Sequence, residues 1–205
     1  MCGLVGFVNT TKDISKYRNV LSNMNNAISR RGPDEDGMYI EENVCLAHKR
    51  LIVIDPNGGK QPMICKKDSN TYAIVYNGQI YNTPELKKEL VSCGFTFEGY
   101  SDTEVLLKSY IKWGHDVVNK LNGIFSFAVW DSNKKELFMA RDHFGVKPFY
   151  YTIIDNTLVF ASEVKALFEY PGITAKIDQE GISELFGLGP VSYTHLRAHE
   201  TRRHL

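Results

Sequence analysis

No apolar run in this 205-residue chain approaches the ~18–20 residues that a membrane-spanning helix needs. Its first residues lack a basic stretch followed by an apolar one, so nothing there resembles a secretory leader. Excess charge of either sign is also missing: 24 Lys and Arg balance 24 Asp and Glu. A neutral chain has no net field to draw it to nucleic acid or an anionic membrane, and neither is expected as a partner. Cysteine is scarce, four in all and never as Cys-x-x-Cys, which argues against a zinc site or a disulfide framework. Free thiols in a reducing cytoplasm are the expectation, with Cys45, Cys65 and Cys93 as small buried apolar residues. Gly-rich phosphate loops are absent too. Gly187-Leu188-Gly189-Pro190 fails the dinucleotide spacing, and no Gly-x-x-x-x-Gly-Lys-Ser/Thr occurs. No cofactor is therefore expected within the chain, and no metal.

What is present describes an ordinary globular domain, 43% apolar and 23% charged, long enough to bury a sizeable core. Strand-like runs fall at residues 4–8, 37–40, 44–48, 51–54, 72–76, 125–130, 137–140, 149–154 and 158–161. Helical patterns fall at 15–31, after Thr83-Pro84-Glu85, after Ser101-Asp102-Thr103-Glu104, and at 178–186. Asp55-Pro56-Asn57-Gly58-Gly59 is a loop, and Asp131-Ser132-Asn133 and Asp155-Asn156 supply hairpin turns. Strands joined by hairpins predict an α+β fold of mainly antiparallel sheets covered by helices, rather than a wound βαβ fold.

Cys2 is the residue with the most chemical meaning. Once Met1 is removed, one carbon carries both a thiol and a free α-amine. The thiolate is the nucleophile, with a free-thiol pKa of roughly 8.5. The amine, at about 7.7–8.0, is in part unprotonated near neutrality and can take the thiol proton. No distant histidine is then required. The other reading is a small residue buried at the start of a strand. Asn77-Gly78 taken alone reads as a plain type I′ turn between strands.

Several motifs lie in register along the chain: Met1-Cys2-Gly3-Leu4-Val5-Gly6, Arg31-Gly32-Pro33-Asp34, Leu46-Ala47-His48-Lys49-Arg50-Leu51 and Tyr76-Asn77-Gly78-Gln79-Ile80-Tyr81-Asn82. Ser101 to Glu104, Arg141 to Pro148 and Ala161 to Leu167 extend the set. Together they resemble the glutaminase domain of class II glutamine amidotransferases, and within that group the glutamine-hydrolysing asparagine synthetases. The resemblance covers residues 2 to about 190. It implies a four-layer αββα sandwich of the N-terminal-nucleophile type and hydrolysis of L-glutamine to glutamate and ammonia through a cysteinyl thioester.

The resemblance also implies roles for particular residues. Cys2 is the nucleophile and its own base. Asn77 and Gly78 match the family's oxyanion pair, a side-chain amide and a backbone N–H. Arg50 matches the clamp for the substrate α-carboxylate, a task for a planar guanidinium. Leu51, Ile52, Val53 and Ile54 would wall the pocket. Asp102 matches the partner of the α-ammonium, although an acidic residue in the first turn of a helix also has a local reason to be there. Gln79 stands where a glutamate is usual, which puts its share in ammonium binding in doubt. His48, His115 and His143 are not expected to pair with Cys2. Arg141 and Asp142 are read as a structural ion pair or as facing a partner domain.

Asparagine synthetases of this kind carry a second domain that uses ATP and Mg²⁺ and receives the ammonia. Its Ser-Gly-Gly-x-Asp-Ser loop does not occur here, so that synthetase domain is an expected partner, with a homodimer as a further expectation. The last fifteen residues, 191–205, hold three Arg and three His against one Glu. They read as an out-of-frame or vector-derived tail rather than as a metal site. Two alternatives stay open: a glutaminase serving a sugar phosphate or purine precursor, and an idle glutamine-binding or interaction module.

Overall fold

The computed structural model describes residues 1–175, so the helix expected at 178–186, the boundary near 190 and the tail lie outside the described residues. Two antiparallel sheets form the centre. The first takes β1 (Gly3–Val8), β2 (Glu35–Glu41), β3 (Val44–Arg50), β8 (Tyr150–Ile154) and β9 (Thr157–Ala161), in the order β2-β3-β1-β9-β8. The second takes β4 (Met63–Lys67), β5 (Asn70–Ile80), β6 (Gly123–Asp131) and β7 (Glu136–Arg141), in chain order. Helix α1 (Arg18–Ala27) and the short α4 (Val164–Leu167) cover the first sheet, while α2 (Thr83–Ser92) and α3 (Asp102–Trp113) cover the second.

The layering follows from period-two burial, in which successive side chains of a strand serve opposite faces. In β1, Val5 and Phe7 pack under Leu21, Met24 and Ile28 of the α1 segment, whereas Leu4 and Val8 face the other sheet. In β6, Phe125, Phe127 and Val129 meet Leu106 and Tyr110 of α3, whereas Ala128 and Trp130 turn inward. The inner layer of Leu4, Leu46, Val75, Trp130 and Phe160 glues sheet to sheet. The result is the expected α+β sandwich with helix, sheet, sheet and helix in sequence. Strands buried on both faces explain why the central runs read as unbroken apolar stretches.

Several elements differ from the sequence reading. The helix expected over 15–31 is a ten-residue α1 between two 3₁₀ turns, Ser15–Tyr17 and Ser29–Arg31. Its four asparagines are weak helix formers, and the stripe Leu21, Met24 and Ile28, flanked by Val20 and Ala27, holds it down. β5 runs on to Ile80, so Asn77-Gly78 is inside a strand, opposite Ser126 and Phe125, and is not a turn. β4 was not anticipated. It is an edge strand of mixed polarity, joined to β5 through Asp68 and Ser69, both at positive φ as a two-residue hairpin requires. Residues 51–54 form no strand, for a reason that lies in Arg50.

Candidate active site

The Arg31-Gly32-Pro33-Asp34 segment organises the start of the chain. Arg31 Nε donates to Cys2 O at 2.8 Å, and the Arg31 guanidinium is anchored by Glu163 at 3.3 Å. Gly32 is pressed against the end of β3: a Cβ there would sit 2.3 Å from the Lys49 carbonyl carbon, so no larger residue fits. Asp34 N–H donates to Arg50 O, and its Oδ2 accepts the Ile52 N–H at 2.7 Å. One tetrapeptide thus sets both Cys2 and the chain leaving β3. Cys2 Sγ lies 3.4 Å from Leu51 N and 3.5 Å from Leu51 O, half-buried at the wall of a cavity of about 210 Å³. Met1 still precedes it and also lines that cavity, so the Cys2 nitrogen here is a peptide nitrogen.

Arg50 is buried and heavily committed. Nη1 donates to Glu35 Oε2 (2.6 Å) and Pro56 O (3.0 Å), and Nη2 to Ile54 O (3.1 Å) and Asp55 O (2.6 Å). These bonds curl the chain around the guanidinium, which is why 51–54 cannot extend as a strand. All four Nη hydrogens have acceptors, so a substrate carboxylate reaches this group only through Nε or by displacing a partner. Leu51, Val53 and Ile54 line the cavity; Ile52 does not, its N–H being tied to Asp34. Asp55 closes the loop by accepting from Gly58 N (2.8 Å) and Tyr100 N (2.7 Å).

Across the cavity lies the free edge of β5. β4 stops pairing at Met63–Ile74, so beyond Ile74 side chains meet the β5 backbone instead. Tyr76 N–H donates to Gln61 Oε1 at 2.6 Å, and Ile80 N–H to Asp102 Oδ2 at 3.3 Å. Alternate residues of a strand turn their N–H groups the same way, so Gly78, in step with Tyr76 and Ile80, faces this open edge. The Asn77 side chain is buried and its Nδ2 has no partner, an exception to the rule that buried donors are satisfied. Two hydrogen-bond donors thus stand uncommitted beside each other on one wall. A glycine at 78 lets a ligand come close to the backbone N–H because no Cβ intervenes. The structure adds a second reason: a Cβ would meet Ile124 O at 2.4 Å on β6.

Asp102 opens α3, whose N-cap Ser101 accepts from Glu104 N. Burial raises the Asp102 carboxyl above its ordinary range, against donation from the Tyr76 hydroxyl (2.7 Å) and Ile80 N–H. Tyr76 in turn is pushed well up by burial and by that carboxylate. Gln79 is exposed at the cavity rim. The cavity therefore gathers Cys2, Arg50, Asn77, Gly78, Gln79 and Asp102 from four separate segments. Sequence reading missed Tyr76 as an Asp102 partner, Gln61 as a backbone cap and Lys147 as a lining residue. Arg141 and Asp142 do not pair with each other. Arg141 binds the Lys147 and Gly145 carbonyls, and Asp142 accepts N–H groups of Phe125, Phe144, Val146 and Lys147. His115 and His143 lie outside the cavity lining.

The family model of a glutamine amidotransferase domain matches residues 1–203. Asparagine synthetase (glutamine-hydrolyzing) 3 of Bacillus subtilis (strain 168) is 50% identical over 190 residues, 93% of this chain and 31% of that protein. Asparagine synthetase B (glutamine-hydrolyzing) of Escherichia coli (strain K12) is 35% identical over 168 residues, 82% of this chain and 30% of that one. The chain thus spans about a third of the length of these relatives. Among solved structures, a glutamine phosphoribosylpyrophosphate amidotransferase from B. subtilis, complexed with ADP and GMP, superposes with a TM-score of 0.68 at 19% identity. That superposition covers 82% of this chain and 43% of the other, and it concerns the fold alone. With the family pattern running through every described strand and half of the aligned positions shared with a curated relative, this chain belongs to the glutamine amidotransferase domain family.

Proposed function

We propose that the chain hydrolyses L-glutamine to glutamate and ammonia through a thioester on Cys2. The observation that carries this reading is the buried, unpartnered Asn77 Nδ2 beside the open Gly78 N–H, in the same cavity as Cys2 Sγ. Removal of Met1 frees the α-amine, which takes the thiol proton as sulfur attacks the side-chain amide carbon. A C–S bond forms, and the carbonyl electrons move onto oxygen between the Asn77 and Gly78 donors. As that oxyanion collapses, the C–N bond breaks and ammonia leaves with the proton returned by the ammonium. Water then adds to the thioester, the C–S bond breaks, and glutamate and the free thiol are restored.

A cavity of about 210 Å³ is smaller than the roughly 300–1,000 Å³ of drug-sized sites, which favours a substrate the size of one amino acid. Asp102 receives the α-ammonium, a role supported by its lining the same cavity as Cys2. The α-carboxylate meets Arg50 through Nε or by displacing one of its present acceptors. Gln79 at the rim contributes backbone rather than charge. The ammonia serves ATP- and Mg²⁺-dependent conversion of aspartate to asparagine by a synthetase domain beyond these residues; what supports asparagine as the product is that the relatives are named glutamine-hydrolyzing asparagine synthetases. The four cysteines are free thiols, which fits a cytoplasmic setting. Intact mass with ammonia release from glutamine, for the native chain and Cys2→Ala, tests the reading. Loss of Met1 and release only by the native chain are expected; a retained methionine or equal release from both overturns it.

A further inference from the structure

His48 is a wholly buried residue of β3 that the hydrolysis does not use. It shares the inner face of its strand with Leu46 and Arg50, and its Nε2 crosses to the second sheet, 2.9 Å from Tyr76 O on β5. The two layers otherwise meet here through apolar side chains such as Leu4, Leu46, Val75 and Trp130. Tyr76 is the residue at which β5 has just outrun β4. Its N–H is met by Gln61 and its C=O by His48, so two side chains replace a partner strand at this residue, before Asp102 takes the Ile80 N–H further along the same edge. The next two residues are Asn77 and Gly78, whose donors stay free.

Burial pushes the imidazole down to about 4, so the ring is neutral near pH 7 and carries one N–H. A carbonyl can only accept, which places that hydrogen on Nε2 and leaves Nδ1 as a buried acceptor with no partner. Nor is this ring suited to take a proton from Cys2, since it is too weak a base and its donor is committed.

We propose that His48 is a positioning residue: by holding the Tyr76 carbonyl it fixes the Tyr76-Asn77-Gly78 backbone and thereby aims both oxyanion donors into the cavity. The inference rests on the proposed hydrolysis. Its test uses the reach of side-chain amides. A glutamine amide nitrogen comes to the position of imidazole Nε2, whereas an asparagine amide comes only to that of Nδ1. His48→Gln keeps the donor; His48→Asn loses it, and His48→Leu serves as a second donor-free variant should the first not fold by circular dichroism.

A misplacement on the order of 1 Å costs about a hundredfold, so the donor-free variants should lose roughly tenfold to a hundredfold in kcat with KM for glutamine little changed. Their affinity for glutamate γ-semialdehyde, whose adduct with Cys2 places an oxygen between the same donors, should fall by the same factor. Alkylation of Cys2 by iodoacetamide, which needs no oxyanion donors, should keep its rate. His48→Gln should retain most of the native kcat. The proposal is overturned if the Gln variant and the donor-free variants behave alike, if KM rises while kcat holds, or if alkylation slows in step with kcat. A native chain that releases no ammonia defeats the hydrolysis and this inference together. An active native chain matched by an equally active His48→Asn defeats only the role of His48.

Discussion

At the scale of single residues, the site depends on groups left free rather than on groups made reactive. Cys2 accepts one weak N–H from Leu51, and Asn77 offers an amide that nothing in the protein takes. Because Asn77 Nδ2 makes no bond, truncation removes little from the fold. Asn77→Ala should therefore lower kcat for ammonia release by about 10²–10³, the typical loss for one oxyanion donor, with the urea midpoint nearly unchanged. A large fall in the midpoint would assign Asn77 to the scaffold instead. Asn77, Gly78, Cys2, Arg50 and Asp102 were all legible from motifs in the chain. Tyr76, Gln61 and His48 were not, because each acts through a hydrogen bond to another element. Whether Gln61 caps a backbone N–H depends on where β4 ends, and no local pattern announces that.

Elements come next, and here the loop from Leu51 to Gly59 is the clearest case. Local composition suggested a strand at 51–54 because four apolar residues adjoin one another. A buried guanidinium overrides that preference by collecting the Ile54, Asp55 and Pro56 carbonyls together with Glu35. A lysine presents a single ammonium and cannot satisfy four acceptors in a plane. Arg50→Lys is expected to destabilise the fold by about 2–4 kcal/mol and to free the loop, read by urea unfolding and by proteolysis within 51–60. Activity would fall as well, through loss of the cavity wall. The turns behaved differently. Asp155 and Asn156, both at positive φ, form the hairpin that their residue types predict, since a two-residue loop needs only local chemistry.

For the molecule as a whole, two sheets share an apolar interior that also holds a neutral histidine, and acid tests that arrangement. His48 falls from 6.5 to about 4 on folding, so the unfolded chain binds more protons between those values. Stability from this group is complete above about 6.5 and is lost as pH falls towards 4, by roughly 3 kcal/mol at most. Asp55, Glu104 and Asp142 follow at lower pH. Burial opposes their ionisation, but backbone N–H donors hold Asp55 and Asp142 below their ordinary values, and the Lys108 ammonium, then the Glu98 and Gly99 N–H groups, hold Glu104 below its own. Their contribution is present above the unfolded values and disappears as pH drops through the folded ones. Asp102 has the opposite sign, its raised carboxyl favouring the fold slightly as pH falls. The thermal midpoint should therefore decline between pH 6.5 and 4, and His48→Gln should flatten that limb while leaving the steeper loss below it. An unchanged slope in the variant would mean that the histidine is not the group that titrates.

Residue identity and order were enough to establish the α+β class, the hairpins, the family and the five residues that meet at the cavity, because each of those depends on local preference or on motifs read in line. The placement of donors along the open edge of β5 required two sheets to stack in one register. Only then do His48 and Tyr76, 28 positions apart, lie within a hydrogen bond of each other, and only then does the buried Asn77 amide find itself without a partner. Backbone edges and unpaired donors are properties of how strands are assembled, and a linear chain carries no local sign of them.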